Sequence, residues 1–245
     1  GEGDQELTQT LRLDGAYRLF DRYQLALGVP VVRRIRSVAE GSASATGIGD
    51  ITLSAAYEML PEWNYSVWRP HGFIFLTSTL AVSPSTYDAK ETYQIDARGR
   101  GFYSIGLGTA FFKTAGNWDF IATAEAHRSF ARTAAIASQQ LRLTPGFGAT
   151  GSLGGGFSPW GGRFRIGLSV APVWEGPIRS QGLVDSTSSD QLVWNTSAQL
   201  GYQLPIQEDT WSTSLTYTDQ TLLGPTHGVT LSRIVSLAVQ KRWAL

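Results

Sequence analysis

The chain alternates between greasy and polar positions with a period of two. From Leu7, the residues Leu7, Leu11, Leu13, Tyr17 and Leu19 fall on odd positions, while Thr8, Thr10, Arg12, Asp14 and Arg18 fall on even ones. Alternation of this kind is the mark of a strand with one apolar and one polar face. It recurs in Tyr23–Val31, Ile51–Met59, Tyr103–Phe111, Trp118–Ala126, Phe164–Val170, Leu192–Tyr202 and Val235–Trp243. The segment Phe73–Val82 is apolar on both faces, so its phase is not fixed by pattern.

The pattern predicts eleven strands, at about 4–20, 22–38, 48–60, 70–84, 101–115, 117–131, 139–158, 163–178, 189–206, 210–223 and 228–245. The connections alternate in length. Short turns lie near 20–22, 116–117, 158–162 and 208–210, with a medium one at 61–69; longer polar segments lie at 40–47, 85–100, 132–140 and 180–190. Short turns at one end and long loops at the other are the habit of outer-membrane barrels.

Composition sharpens this reading. Charged residues are 16%, glycines number 27 and tryptophans eight. That is a poor surface for water. Formal net charge is zero and cysteine is absent, so nucleic acid, disulfides and thiolate metal sites are not indicated. The longest uncharged run that could pass for a membrane helix, 143–162, contains eight glycines and two prolines. A helix there would be very costly. A membrane chain without helical spans must close a sheet, because lipid offers no partner to open backbone groups. The expectation is therefore an all-β, transmembrane, antiparallel up-and-down barrel, one domain over 1–245, in the outer membrane of a Gram-negative-type bacterium. Such barrels have an even strand number with both ends in the periplasm. Eleven visible strands imply about twelve, with either the first lying upstream of Gly1 or one hairpin miscounted.

Tryptophan placement orients the two faces. Trp63, Trp68, Trp118, Trp160, Trp211 and Trp243 fall at the short-turn side, and Trp174 and Trp194 at the opposite rim. Two belts at the strand ends are what interfacial anchoring predicts, with the apolar face toward lipid. The polar face then lines a lumen. Its candidate solute path is Arg12, Asp14, Arg18, Arg34, Arg36, Asp50, Glu58, Asp119, Glu125, His127, Arg142, Arg163, Arg165 and Glu175. Rings of charge can set solute preference, or can pair and close a narrow barrel.

Two motifs suggest other chemistry. Gly146-Phe147-Gly148-Ala149-Thr150-Gly151 matches a dinucleotide fingerprint by letter. That motif needs a following helix, whereas Gly154, Gly155, Gly156 and Pro159 follow. It reads instead as a glycine-rich strand leaving room for lumen side chains. His127 and Ser129 are two apart, a spacing used by outer-membrane phospholipases, but Phe130 stands where that pattern has Asn. Both also face the lumen by phase, away from lipid, so no enzyme is expected. His71, His127 and His227 show no metal-ligand spacing, and no cofactor is expected.

Two segments resemble a known family. Tyr17-Arg18-Leu19-Phe20-Asp21-Arg22-Tyr23-Gln24-Leu25, leading to Val29-Pro30, is similar to its second hairpin, and Thr46-Gly47-Ile48-Gly49-Asp50-Ile51-Thr52-Leu53 to a GxGD element opening the next strand. Both resemble outer-membrane transporters of the phenol meta-cleavage pathway type. The resemblance is concentrated in residues 10–85. It implies a barrel of about twelve strands passing small, often hydrophobic or aromatic molecules, and brings no catalytic residues. The end of the chain, Trp243-Ala244-Leu245, departs from the usual terminal aromatic. The functional expectation is a passive channel whose partners are the bilayer and a small solute. The alternative is a non-conducting barrel that holds a partner protein at its loops or lumen.

Overall fold

The computed structural model describes residues 5–38, 41–61, 66, 68–136, 139–159, 162–182, 185–206, 209–224, 226–228 and 231–242. Nearly all of it is antiparallel sheet. Eleven staves succeed one another in chain order: β1 (Gln5–Leu19), β2 (Tyr23–Val38), β4 (Ile51–Leu60), β5 (His71–Leu80), β6 (Ser104–Ala115), β7 (Trp118–Ser129), β10 (Phe147–Phe157), β11 (Phe164–Glu175), β14 (Gln191–Ile206), β15 (Asp209–Asp219) and β16 (Arg233–Arg242). β3 (Gly41–Ile48) pairs with the outer half of β2, so β3 and β4 form one stave interrupted at Gly49 and Asp50.

Outside this wall stands a four-stranded sheet, in the order β13 (Ser186–Thr187), β12 (Arg179–Gln181), β9 (Gln139–Thr144) and β8 (Arg132–Ile136). It belongs to the long-loop end and is called the cap below. The sequence pattern treats 40–47, 132–140 and 180–190 as loops; the structure corrects each to short strands. These polar segments still carry a backbone donor and acceptor per residue, and pairing them with neighbours satisfies both. The expected single strand 139–158 breaks at Pro145 and Gly146 into β9 in the cap and β10 in the wall.

Exposure decides which face is out. Leu11, Leu27, Leu53, Leu76, Leu107, Phe120, Leu153, Leu168, Leu200, Leu215 and Leu237 are all exposed, one row per stave. A continuous apolar band of this extent is foreign to water-soluble surfaces. The polar faces point the other way and bridge to one another across the curl of the sheet, so they line its concave side. Register also orients β5: Ile74 pairs with Tyr57 and Leu76 with Ala55, which puts both outward and leaves Phe73, Phe75 and Thr77 inward.

The fully buried residues are not in the wall's interior for the most part. Phe102, Ala134 and Leu143 form one buried cluster, with Tyr87, Leu141 and Ile178 packed on it. This small core joins the segment between β5 and β6 to the cap. Because eleven staves alternate, β1 and β16 run in the same direction, and among the described residues they are not paired with each other. Closing the ring with antiparallel ladders on both edges takes an odd number of further strands.

Candidate functional site

The site is built by residues 81–103, between β5 and β6. The sequence pattern treats most of this stretch as an external loop. The structure folds it inward, as a strap across the mouth of the curl. Asp50, at the break between β3 and β4, accepts hydrogen bonds from the Ser83 hydroxyl (2.6 Å) and from the Arg100 amide (2.8 Å). The Arg100 guanidinium reaches the other way, to Glu175 at the end of β11, at 2.6 Å. Arg100 therefore ties the third stave to the eighth from inside. In a ring of about twelve, that chord is one stave short of a diameter.

Glycines flanking Arg100 permit this course. A Cβ on Gly99 would overlap Asp50 and the Ser83 hydroxyl, and Gly101 has φ +75°, where other residues are strained. More anchors hold the strap. Arg34 donates to the Ala97 carbonyl (2.5 Å), and Arg36 lies over the Tyr93 ring (5.6 Å). Arg132 of β8 donates to Ser85 (2.9 Å) and Asp88 (2.8 Å). Burial raises the pKa of the Asp88 carboxyl, but bonds from Arg132 and Ser85 outweigh it and hold the net value below 3.8. Asp96 is also held low, chiefly by the backbone amide of Lys90.

Below the Arg100 chord lies a second layer of polar contacts. His127 Nε2 stands 3.0 Å from Glu175, and its Nδ1 stands 3.8 Å from Glu125. The Thr77 hydroxyl donates to Glu125 at 3.2 Å. His127 pairs with Gly106 on one side and Gly148 on the other. Neither glycine adds a side chain, and a Cβ at Gly148 would overlap both His127 and Glu175. The glycine of the fingerprint-like run thus makes room for the His127–Glu175 contact across β10, as the sequence suggested.

Toward the short-turn end the inner face changes character. Phe73 packs edge-on to Phe112 (5.9 Å) and against His71 (4.4 Å), and the Phe75 ring covers Gly108. His71 and Glu58 pair at 2.8 Å. Next to this patch, Arg165 holds Asp119 through two bonds, 2.6 and 2.8 Å, bridging over Gly156 of β10. At the open edge, Arg12 pairs with Asp14 (2.7 Å) and donates to Thr52 (3.1 Å).

The predicted path residues are thus brought together unequally. Asp50 and Glu175 hold Arg100 of the strap, Glu125 and His127 lie in the layer beneath, and Arg34 and Arg36 anchor the strap. Glu58, Asp119 and Arg165 form the lower layer, and Arg34 also pairs with Glu6. Arg18 turns to the Asp21 carbonyl in the β1–β2 turn, and Arg163 lies in the turn before β11. Arg142 is a correction. It stands on β9, opposite Thr133 and Gln181 in the cap and not on the wall, because the chain breaks at Pro145. Arg100, Ser83 and Arg132 were missed, since their segments carry no strand period. The one signal was Gly99-Arg100-Gly101, an arginine between two glycines.

Among the girdle tryptophans, Trp118 stacks on Phe157, Trp211 lies under Lys241, and Trp68 is exposed. Trp174 donates to Asp190 at 3.1 Å, and Trp194 packs beneath Gly224. Trp63, Trp160 and Trp243 lie outside the described residues. No hydrogen bond joins Ser129 to His127 among the described residues, and no cluster there could hold a metal ion.

No family model matches the chain, and no curated protein does. Solved structures do. An outer membrane channel from Pseudomonas putida F1 superposes with a TM-score of 0.62 at 17% identity, over 96% of this chain and 82% of that one. The shared fold is an antiparallel up-and-down β-barrel wall. At this identity the likeness speaks for the fold alone.

Proposed function

We propose that this chain is an outer-membrane channel for small solutes, with its selective point at the Arg100 strap. One observation carries the reading: among the described residues, a segment pinned to both walls crosses a concave face that bears polar pairs and one aromatic patch. A barrel built as a solid body would pack its inner side chains, as small barrels do. Here the inner-face Phe112 remains 39% exposed, and the buried core is displaced to the cap.

The charge at the strap gives a direction. Glu175 holds the Arg100 guanidinium, Asp50 accepts from its amide, and Glu125 lies in the layer beneath, so carboxylates gather on the inner side of the strap while Arg34 and Arg36 anchor it from the wall. Bare anions are disfavoured there and cations favoured. The aromatic patch of Phe73, Phe75 and Phe112 below it supports a solute with an apolar or aromatic face, in keeping with the family resemblance. Membrane insertion is supported by the outward apolar band, whose place in lipid water could not fill. A closed ring needs a further strand between β1 and β16, and a twelfth, antiparallel to both, is the smallest solution.

The test is single-channel recording in a planar bilayer with a salt gradient. Discrete steps with a cation-side reversal potential are expected. A folded but silent barrel would favour the second reading, a closed scaffold, which the pinning of the strap on both walls also suits. Anion selectivity would overturn the charge assignment.

A further inference from the structure

The outer wall carries a depression that the channel reading does not use. On most staves the lipid face shows large side chains, but on β7 and β10 it shows Ala124, Ala126, Ala149 and Gly151. Register sets these side by side: Ala126 pairs with Ala149, and Ala124 with Gly151. Leu107 of β6 pairs with Ala126 and forms one bank. Trp174 of β11 pairs with Ala149 and forms the other. The banks are three inter-strand spacings apart, about 14 Å. The open groove around them, which reaches Ile74 and Pro172, measures about 570 Å³ and is lined mostly by apolar surface, with Thr109 at one edge.

Beyond the loop-side end of this groove stands a charge. Arg128 is two residues beyond Ala126 and so on the same, outward, face of β7. It is exposed, and its guanidinium lies 4.8 Å from the ring centre of Phe147, its partner across the ladder. Among the described residues it has no carboxylate partner. Every other arginine on β7, β10 and β11 faces inward or, like Arg163, lies in a turn. An outward arginine one row beyond the Trp174 girdle sits at interface depth, where its charge costs little and meets lipid headgroups.

We propose that this groove binds one anionic lipid of the loop-side leaflet, with its phosphate on Arg128 and an acyl chain along the alanine floor. Two features select that occupant. The floor accepts methylene chain without polar partners, and arginine offers phosphate a charge-assisted, two-pronged set of donors. Phe147 fixes the guanidinium plane, so less freedom is lost on binding. A lipid whose phosphate is neutralised by its own cation gains less from Arg128 than one whose phosphate is not. The proposal rests on the membrane reading of the barrel but not on conduction.

The test uses the full chain folded in mild detergent, with native mass spectrometry of bound phosphatidylglycerol against phosphatidylcholine of the same acyl chains. The wild type should retain one phosphatidylglycerol with a preference of about ten-fold, the scale of one charge-assisted contact. Arg128→Gln should lose the preference while still holding either lipid, and Arg128→Lys should restore part of it. Ala126→Phe, which fills the groove from outside, should lose both lipids. Heat-modifiable migration and channel conductance should be unchanged in all three variants. A wild type without preference, or an Arg128→Gln variant that keeps it, overturns the site. A wild type that will not fold in detergent or lipid overturns the membrane reading instead.

Discussion

Replacing Arg100 by alanine tests the strap most directly. The variant keeps the main-chain bond to Asp50 and removes the guanidinium that reaches Glu175 at 2.6 Å. The loss in stability should be small. The Arg100 side chain is 59% exposed, and partly exposed pairs contribute about 0–1 kcal/mol. The loss in charge should be plain. A unit charge about 4 Å from a permeating ion is worth about 1 kcal/mol in a water-like lumen, a factor of about five in local cation occupancy. Asp50, Glu125 and Glu175 would then lack the Arg100 charge. Conductance should rise, because the chord is open on one side, and the reversal potential in a potassium chloride gradient should move further toward cations. The shift should fade near 1 M salt, where the screening length falls to about 3 Å. Unchanged conductance together with an unchanged reversal potential in 0.1 M salt would refute the strap as the narrow point.

Other consequences follow from the same geometry. Gly148→Val places a branched side chain where His127 and Glu175 meet, and should cost about 1–3 kcal/mol by urea unfolding. Gly151→Val, whose nearest neighbour is 3.8 Å away on the outer face, should be nearly silent in the same assay. Leu168→Arg puts a charge on the lipid face and should destabilise by about 2–4 kcal/mol near the midplane; Ser169→Arg, one residue on and facing inward, should fold into vesicles normally. Asp88 is held below 3.8, so its tether to Arg132 stabilises fully above that pH and is lost as pH falls through the lower folded value. Proteolysis of residues 81–103 should therefore accelerate only in acid for the wild type, but at neutral pH for Asp88→Asn. Equal cleavage of the two proteins at neutral pH would remove Asp88 as an anchor.

The wall was legible because a strand with one face in lipid and one in a lumen must alternate. Leu7 to Leu19 and Phe164 to Val170 show that constraint residue by residue, so strand number, phase and the outward face could be read without coordinates. β5 escaped, since Phe73 and Phe75 are apolar although they face inward; a ladder partner, not its own sequence, orients it. Gly148 was legible as a space but not as the space between His127 and Glu175, which lie 48 positions apart.

The site itself was half hidden. Asp50, the β7 pair Glu125 and His127, and Glu175 appear in the sequence as separate polar positions, and only the curl of the sheet brings them to adjoining levels. Arg100 lies in a stretch without period, and no local rule distinguishes a loop that stands in solvent from one that folds back into the mouth. That choice is made by contacts made at long range: Asp50 to the Arg100 amide, Arg132 to Asp88, and Phe102 against Leu143. The sequence alone thus determined the surface the chain shows to lipid, because lipid acts on every second residue. The tertiary structure alone decided where the lumen narrows, because that depends on which distant side chains the closed curl sets face to face.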